Sequence, residues 1–101
     1  MIVAIARIGA YTADLSRAGF IADTKTQDAV IRNLEILGEA ARNIERRHPE
    51  FAAEHPEVPW AIAYEMRNVL AHGYFQVDLD VVWSTIEQNL PELEQQLRSL
   101  V

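Results

Sequence analysis

The chain has 101 residues, half of them apolar, and nine Lys and Arg against fifteen Asp and Glu give it a formal charge of −6. That length suits one domain spanning 1–101 and is too short for two. With no cysteine there is no disulfide framework and no thiolate metal site, which fits a reducing cytoplasm.

No apolar run approaches the roughly 20 residues that cross a bilayer. The opening "MIVAIARIGA" lacks a basic leader and is interrupted by Arg7, so neither a membrane span nor a signal peptide is expected. A first helix is predicted from Ile2 to about Ser16, with Ile5, Ile8, Thr12 and Leu15 on one face. "AGFIADTK" follows as a loop. Thr24 and Gln27 have capping-box spacing, and Asp23 is an alternative N-cap. A long second helix then runs from about Lys25 to Arg47. Its Val30, Leu34, Leu37, Ala41 and Ile44 step by four and three, a packing seam of coiled-coil type. At 1.5 Å per residue it is roughly 33 Å long. Gly38 inside it costs about 1 kcal/mol relative to alanine, which close approach of another backbone would explain.

"HPEFAAEHPEVP" breaks the helix with Pro49, Pro56 and Pro59, leaving room for a short turn around Glu50 to Glu54. Pro59 suits the first position of a third helix, expected from Trp60 to Ala71 or His72 with Gly73 as its C-terminal cap. Asp78 suits the N-cap of a fourth helix whose apolar face is Leu79, Val82, Trp83 and Ile86. Pro91 kinks or restarts the chain, and a last helix carries Leu93, Leu97 and Leu100. The fold class is therefore all-α: an up-and-down bundle of four to five helices joined by short connections.

The third helix ends in "MRNVLAHGYFQVD", Met66 to Asp78. At a helix C-terminus the dipole favours the imidazolium of His72 and poises it for proton transfer near neutrality. Arg67 offers a planar donor fork suited to phosphate, and Asn68 adds an amide that can orient the histidine or hold a phosphate oxygen. Tyr74 places a hydroxyl beside the same spot. Five residues along an ideal helix leave Arg67 and His72 roughly 140° apart, so the pair converges only if the helix end frays or a second wall closes the pocket. A proton-transfer group beside a cation is a minimal ribonuclease site, because RNA carries its own 2′-hydroxyl nucleophile. The bland alternative is that Arg67 pairs with Glu65 or Asp78 and His72 caps a helix.

An acidic total does not draw nucleic acid by its general field, so RNA binding needs a local basic patch or a dimer's geometry. Arg42, Arg46, Arg47 and His48 cluster near the end of the second helix. They read first as a solvated face near the helix C-terminus and second as a phosphate track. His48 and His55 each precede a proline and read as loop residues. Trp60 and Trp83 fit core or interface positions. Asp78 and Asp80 fit helix N-terminal placement better than a carboxylate pair. Scattered histidines without cysteine offer no metal site.

"RNVLAHGYF" resembles the Arg-x-x-x-x-His-x-Tyr motif of the HEPN superfamily, in its HepT-like branch. "DTKTQDAVIRNLEILGEAARNI" resembles that branch's long helix, and "PEVPWAIAYEMRNVLAHGYFQVDLDVVWSTIEQNLPELEQQL" resembles its remainder. The resemblance implies an all-α bundle that dimerises and a metal-independent endoribonuclease without cofactors, acting as the toxin of a toxin–antitoxin pair of type II or VII. Its partner would be a minimal nucleotidyltransferase antitoxin. By the same resemblance Arg67 and His72 are the catalytic pair, Asn68 is a supporting polar residue, and Tyr74 is the tyrosine to which such antitoxins attach AMP. Family members often begin several residues before the point matching Met1, so a shortened first helix is expected. The competing expectation is a non-catalytic module that binds nucleotide or serves as a nucleotidyltransferase's partner subunit.

Overall fold

The computed structural model describes residues 1–61, 63–64 and 79–100. The architecture is all-α, with no strand among the described residues. Helix α1 is Ile2–Thr12, α2 is Arg17–Ala22, α3 is Thr24–Arg47 and α4 is Pro49–Glu54. A further helical stretch begins at Trp60. After residue 78, α5 (Leu79–Ser84) passes through a π-helical turn, Thr85–Asn89, into α6 (Leu90–Arg98).

The spine is α3, 24 residues long and therefore about 36 Å. The seam read from its sequence is its buried face: Val30, Leu37 and Ala41 are fully enclosed, Leu34 nearly so, and Ile44 packs at the edge. Helix α1 lies along this seam and presents Ala4, Ile5 and Ile8 to it. Helix α6 closes the far side against α1 with Leu90, Leu93 and Leu97. Both tryptophans are core residues, Trp60 at 6% and Trp83 at 8% exposure, as expected of them.

Helix α3 starts where Asp23, not Thr24, caps it. The Asp23 carboxylate accepts from the Thr26 amide at 3.1 Å and from the Thr26 hydroxyl at 2.8 Å. A carboxylate satisfies two donors at the positive end of the helix dipole, where a neutral hydroxyl would satisfy one. The capping box does not form. Gln27 instead reaches back to donate to the carbonyls of Phe20 and Ile21, each at 2.9 Å, and so ties α2 to the start of α3.

Two expectations change in the first quarter of the chain. The first helix stops at Thr12 rather than Ser16. The stretch expected to be a loop contains α2, capped by the Ser16 hydroxyl accepting from the Gly19 amide at 3.1 Å. Phe20 explains the helix: it is fully buried, with its ring 5.4 Å from that of Trp83. Burying a side chain of that kind is worth about 1.5–3 kcal/mol, enough to order a turn with little intrinsic preference. An exposed ion pair between Arg17 and Asp80 links α2 to α5.

Pro91 neither ends nor splits the last helical run. It lacks the N–H that would bond residue 87, and its ring would clash with that carbonyl in a regular helix. The preceding π-helical turn widens the backbone, with the Leu90 amide donating to Thr85, and α6 proceeds with Pro91 in its first turn. Such widened turns are a common source of local distortion in helices.

Candidate functional site

Arg67, Asn68, His72 and Tyr74, with Gly73 and Asp78, lie outside the described residues. The structure describes the approach to them. Pro56 and Pro59 break the chain after α4, and the short link between them is pinned from both sides. The His55 Nδ1 lies 3.0 Å from a Glu57 carboxylate oxygen, and the indole N–H of Trp60 donates to the His55 carbonyl at 3.1 Å. Val58 is buried. The helical stretch then opens as the sequence predicts, with the Ala63 amide donating to Pro59 at 2.9 Å and Ala63 fully enclosed.

Tyr64, the last described residue before the motif, meets α3. The Arg42 guanidinium sits 4.7 Å from the centre of the Tyr64 ring and donates to its hydroxyl. A cation over an aromatic face, with the same cation hydrogen-bonding the rim, is worth roughly 0.5–2 kcal/mol depending on desolvation. Arg42 therefore has a structural task that the sequence pattern did not reveal. Tyr64 itself carries no motif signal in the sequence. The available clue was its place on the predicted third helix, three positions ahead of Arg67.

Arg46 and Arg47 are different. They occupy the last turn of α3 and are exposed. There they complement the negative end of the helix dipole and remain open to solvent. Arg47 and His48 also edge a shallow concavity of about 460 Å³ with Pro49, Glu50, Phe51 and Glu54. The two acidic side chains offset the arginine, so the patch is mixed in sign rather than a continuous basic track. Of the three arginines, Arg46 and Arg47 are exposed, while Arg42 is held by Tyr64.

His48 and His55 lie between structured segments, at the start and end of α4, as expected of loop residues. His55 also stacks against Phe51, ring centres 4.6 Å apart. The Glu57 carboxyl is held below its usual range chiefly by its own backbone amide, with the His55 contact second. Asp80 stands in the first turn of α5, in keeping with helix N-terminal placement. Among the described residues no three His, Cys, Asp or Glu side chains gather where they could share a metal ion. No described helix is long and apolar enough to cross a membrane.

Comparison with known proteins covers nearly the whole chain. The model of a family described as "Ribonuclease HepT-like" matches residues 1–100. The chain is 42% identical over 97 residues to the "Probable ribonuclease HepT" of Thermococcus cleftensis, an alignment covering 96% of this chain and 86% of that protein. It is 38% identical over 87 residues to a protein of Caldanaerobacter subterraneus named provisionally as an RNase, covering 86% of this chain and 75% of that protein. In Methanocaldococcus jannaschii a protein named as a gamma-glutamylcyclotransferase and provisional RNase is 35% identical over 91 residues, which is 90% of this chain and 40% of that larger protein. No solved structure matches the chain.

Proposed function

The chain belongs to the HepT-like ribonuclease family, and on that premise we propose that it is a metal-independent endoribonuclease, the toxin of a toxin–antitoxin pair. The observation that carries the reading is the family match across residues 1–100, and within that span the sequence holds Arg67, His72 and Tyr74 at the spacing of the Arg-x-x-x-x-His-x-Tyr motif.

In the proposed reaction His72 takes the proton from a ribose 2′-hydroxyl. The 2′-oxygen forms a bond to the adjacent phosphorus as the bond from phosphorus to the 5′-oxygen breaks. Arg67 compensates the charge gathering on the phosphoryl oxygens, a task suited to a fixed guanidinium. The departing 5′-oxygen receives a proton from an imidazolium, and the products carry a 2′,3′-cyclic phosphate and a 5′-hydroxyl. Asn68 orients the histidine or holds a phosphate oxygen. A homodimer supplies two copies of Arg67 and His72 around one cleft. Arg46 and Arg47, exposed at the end of α3, guide the RNA backbone, and Arg42 contributes through Tyr64 rather than by touching phosphate.

Regulation rests on Tyr74. A minimal nucleotidyltransferase partner in the cytoplasm transfers AMP from ATP to its hydroxyl: the phenolic oxygen bonds to the α-phosphorus as the α–β phosphoanhydride bond breaks, and pyrophosphate leaves. The added phosphate then competes with RNA for Arg67 while the nucleotide's bulk fills the site. Co-expression with such a partner and mass measurement test this: AMP adducts should vanish in Tyr74→Phe, and toxicity should return.

The decisive experiment is incubation of the purified protein with RNA in EDTA, followed by analysis of the ends. Cleavage should persist in chelator and leave cyclic phosphate. His72→Ala should reduce the rate by about 10²–10⁴, and Arg67→Ala comparably. Loss of cleavage in chelator would overturn the metal-free mechanism. A second reading, a nucleotide-binding or partner-binding module without catalysis, is favoured by the net charge of −6. Nucleotide binding with no RNA cleavage by a folded wild-type protein would select it.

A further inference from the structure

Helix α3 carries a second stripe whose residues are exposed. Opposite the inner seam, Arg32, Ile36, Glu39 and Asn43 are exposed, and they line a shallow concavity of about 480 Å³ together with Glu35 and Ala40. Ile36 is 38% exposed in the middle of the longest helix. The adjoining outward positions are small: Ala29 and Ala40.

The stripe's charges are arranged so that it complements itself. Ile36 is its centre. A cation, Arg32, stands four positions before it, and an anion, Glu39, stands three positions after. If two copies of α3 cross antiparallel on a two-fold axis at Ile36, Arg32 of each copy falls beside Glu39 and Ala40 of the other. The small Ala40 leaves room for the guanidinium. Asn43 falls near Asp28 and Ala29 of the other copy, and the two Ile36 side chains meet on the axis. Lys25 and the Arg46–Arg47 pair also approach in this pairing. They lie about ten positions from the axis, roughly 15 Å along the helix, where helices crossing at about 50° have already diverged.

We propose that this outer stripe is the interface between two copies of the chain, with Ile36 on the two-fold and Arg32–Glu39 pairs on either side. The proposal deepens, and rests on, the homodimer in the proposed function. An isologous contact must be self-complementary, and a stripe with opposite charges flanking an apolar centre satisfies that requirement. Arg32 is available for it: among the described residues it makes a 3.5 Å contact to Glu35, with the Arg32 side chain 71% exposed. Glu39 already has an interaction within the protein, but a carboxylate has two oxygens and accepts several donors. The pairing needs only its charge and one further lone pair.

The two-fold makes the test specific. Arg32→Glu alone sets glutamate against Glu39 twice, and Glu39→Arg alone sets arginine against Arg32 twice. Mixing the two variants restores two opposite-charge pairs. By sedimentation, each variant alone should self-associate at least roughly tenfold more weakly than wild type, and the mixture should recover a dimer. Because the chain has no cysteine, Ile36→Cys provides a check that charge changes cannot confound. Mild oxidation should link it to its own copy, whereas Val3→Cys, 63% exposed on α1, should stay unlinked. A wild-type dimer in which Ile36→Cys fails to link and the reversed charges change nothing would overturn this interface and leave the homodimer standing. A wild-type protein that is monomeric at every concentration would overturn both. Neither outcome bears on RNA cleavage, which the chelator assay reads separately.

Discussion

The two long faces of α3 carry similar numbers of large side chains but meet opposite fates. On the inner face Val30, Leu34, Leu37 and Ala41 fall between 0 and 2% exposure. On the outer face Ile36 keeps 38% amid Arg32, Glu39 and Asn43. The difference lies in what flanks the apolar positions. A seam of apolar residues stepping by four and three closes over a partner element and excludes water along its length. One isoleucine between charges cannot do so with its own chain. The inner face specifies the fold, and Ile36 on the outer face stays partly open to solvent.

The largest expected effect comes from breaking the inner face. Leu37 is fully buried at the middle of the seam, so Leu37→Ala removes its packing and leaves a cavity between α3 and its neighbours. Such truncations cost about 2–5 kcal/mol, a large fraction of a small domain's stability. Thermal or denaturant unfolding should show it in the monomer and dimer alike, and cleavage by the folded fraction should be unchanged.

The same contrast explains what could be read from the sequence. The inner seam was legible because its periodicity extends over four turns, and the all-α class followed from it. Trp60 and Trp83 were legible as core or interface residues from their apolar neighbours at helical positions. Helix α2 was not, because six residues are too few for a period, and its stabilisation comes from Phe20 packing on Trp83, a contact 63 positions apart in the chain. The Pro91 outcome was half legible: proline forbids a regular turn, but only the structure shows a π-helical turn absorbing the conflict. At the candidate site, the basic cluster was legible as residues and not as roles. The sequence gathers Arg42, Arg46 and Arg47 near the end of one helix, and it could not show that Tyr64 holds Arg42 while Arg46 and Arg47 are exposed.

A smaller effect should come from the end that both faces share. Asp23 caps α3 by accepting from Thr26, and these hydrogen bonds, backbone first, hold its carboxyl below the ordinary value. A depressed folded-state value contributes stability that is present above the unfolded-state value and is lost as pH falls through the folded one. Asp23→Asn should therefore keep most of the cap while removing this part of the acid dependence. Asp23→Ala should lose both and lower the melting midpoint by a few degrees near neutral pH. Melting measured between neutrality and strongly acidic pH separates the two variants. An identical acid dependence in wild type and Asp23→Asn would show that the cap's charge does not matter.

The smallest effect on the single chain should come from the outer face. Ile36→Ala removes three carbons from a side chain that already meets solvent, in a helix where alanine is the most favoured residue. The lost burial and the gained propensity oppose each other, so unfolding of the monomer should move by no more than about 0.5 kcal/mol. Self-association should respond differently. If the two Ile36 side chains meet on a two-fold axis, one substitution removes contacts from both copies and opens a gap at the most desolvated point of the interface. Truncations at such central positions weaken association far more than those at a rim. The expected signature is a split: a melting transition at high dilution that matches wild type, and a sedimentation profile shifted toward monomer at concentrations where wild type is dimeric. Arg7→Ala, exposed on α1, should move neither. If Ile36→Ala destabilised the dilute monomer as strongly as Leu37→Ala, the outer face would be part of the fold after all, and the contrast between the two sides of α3 would fail.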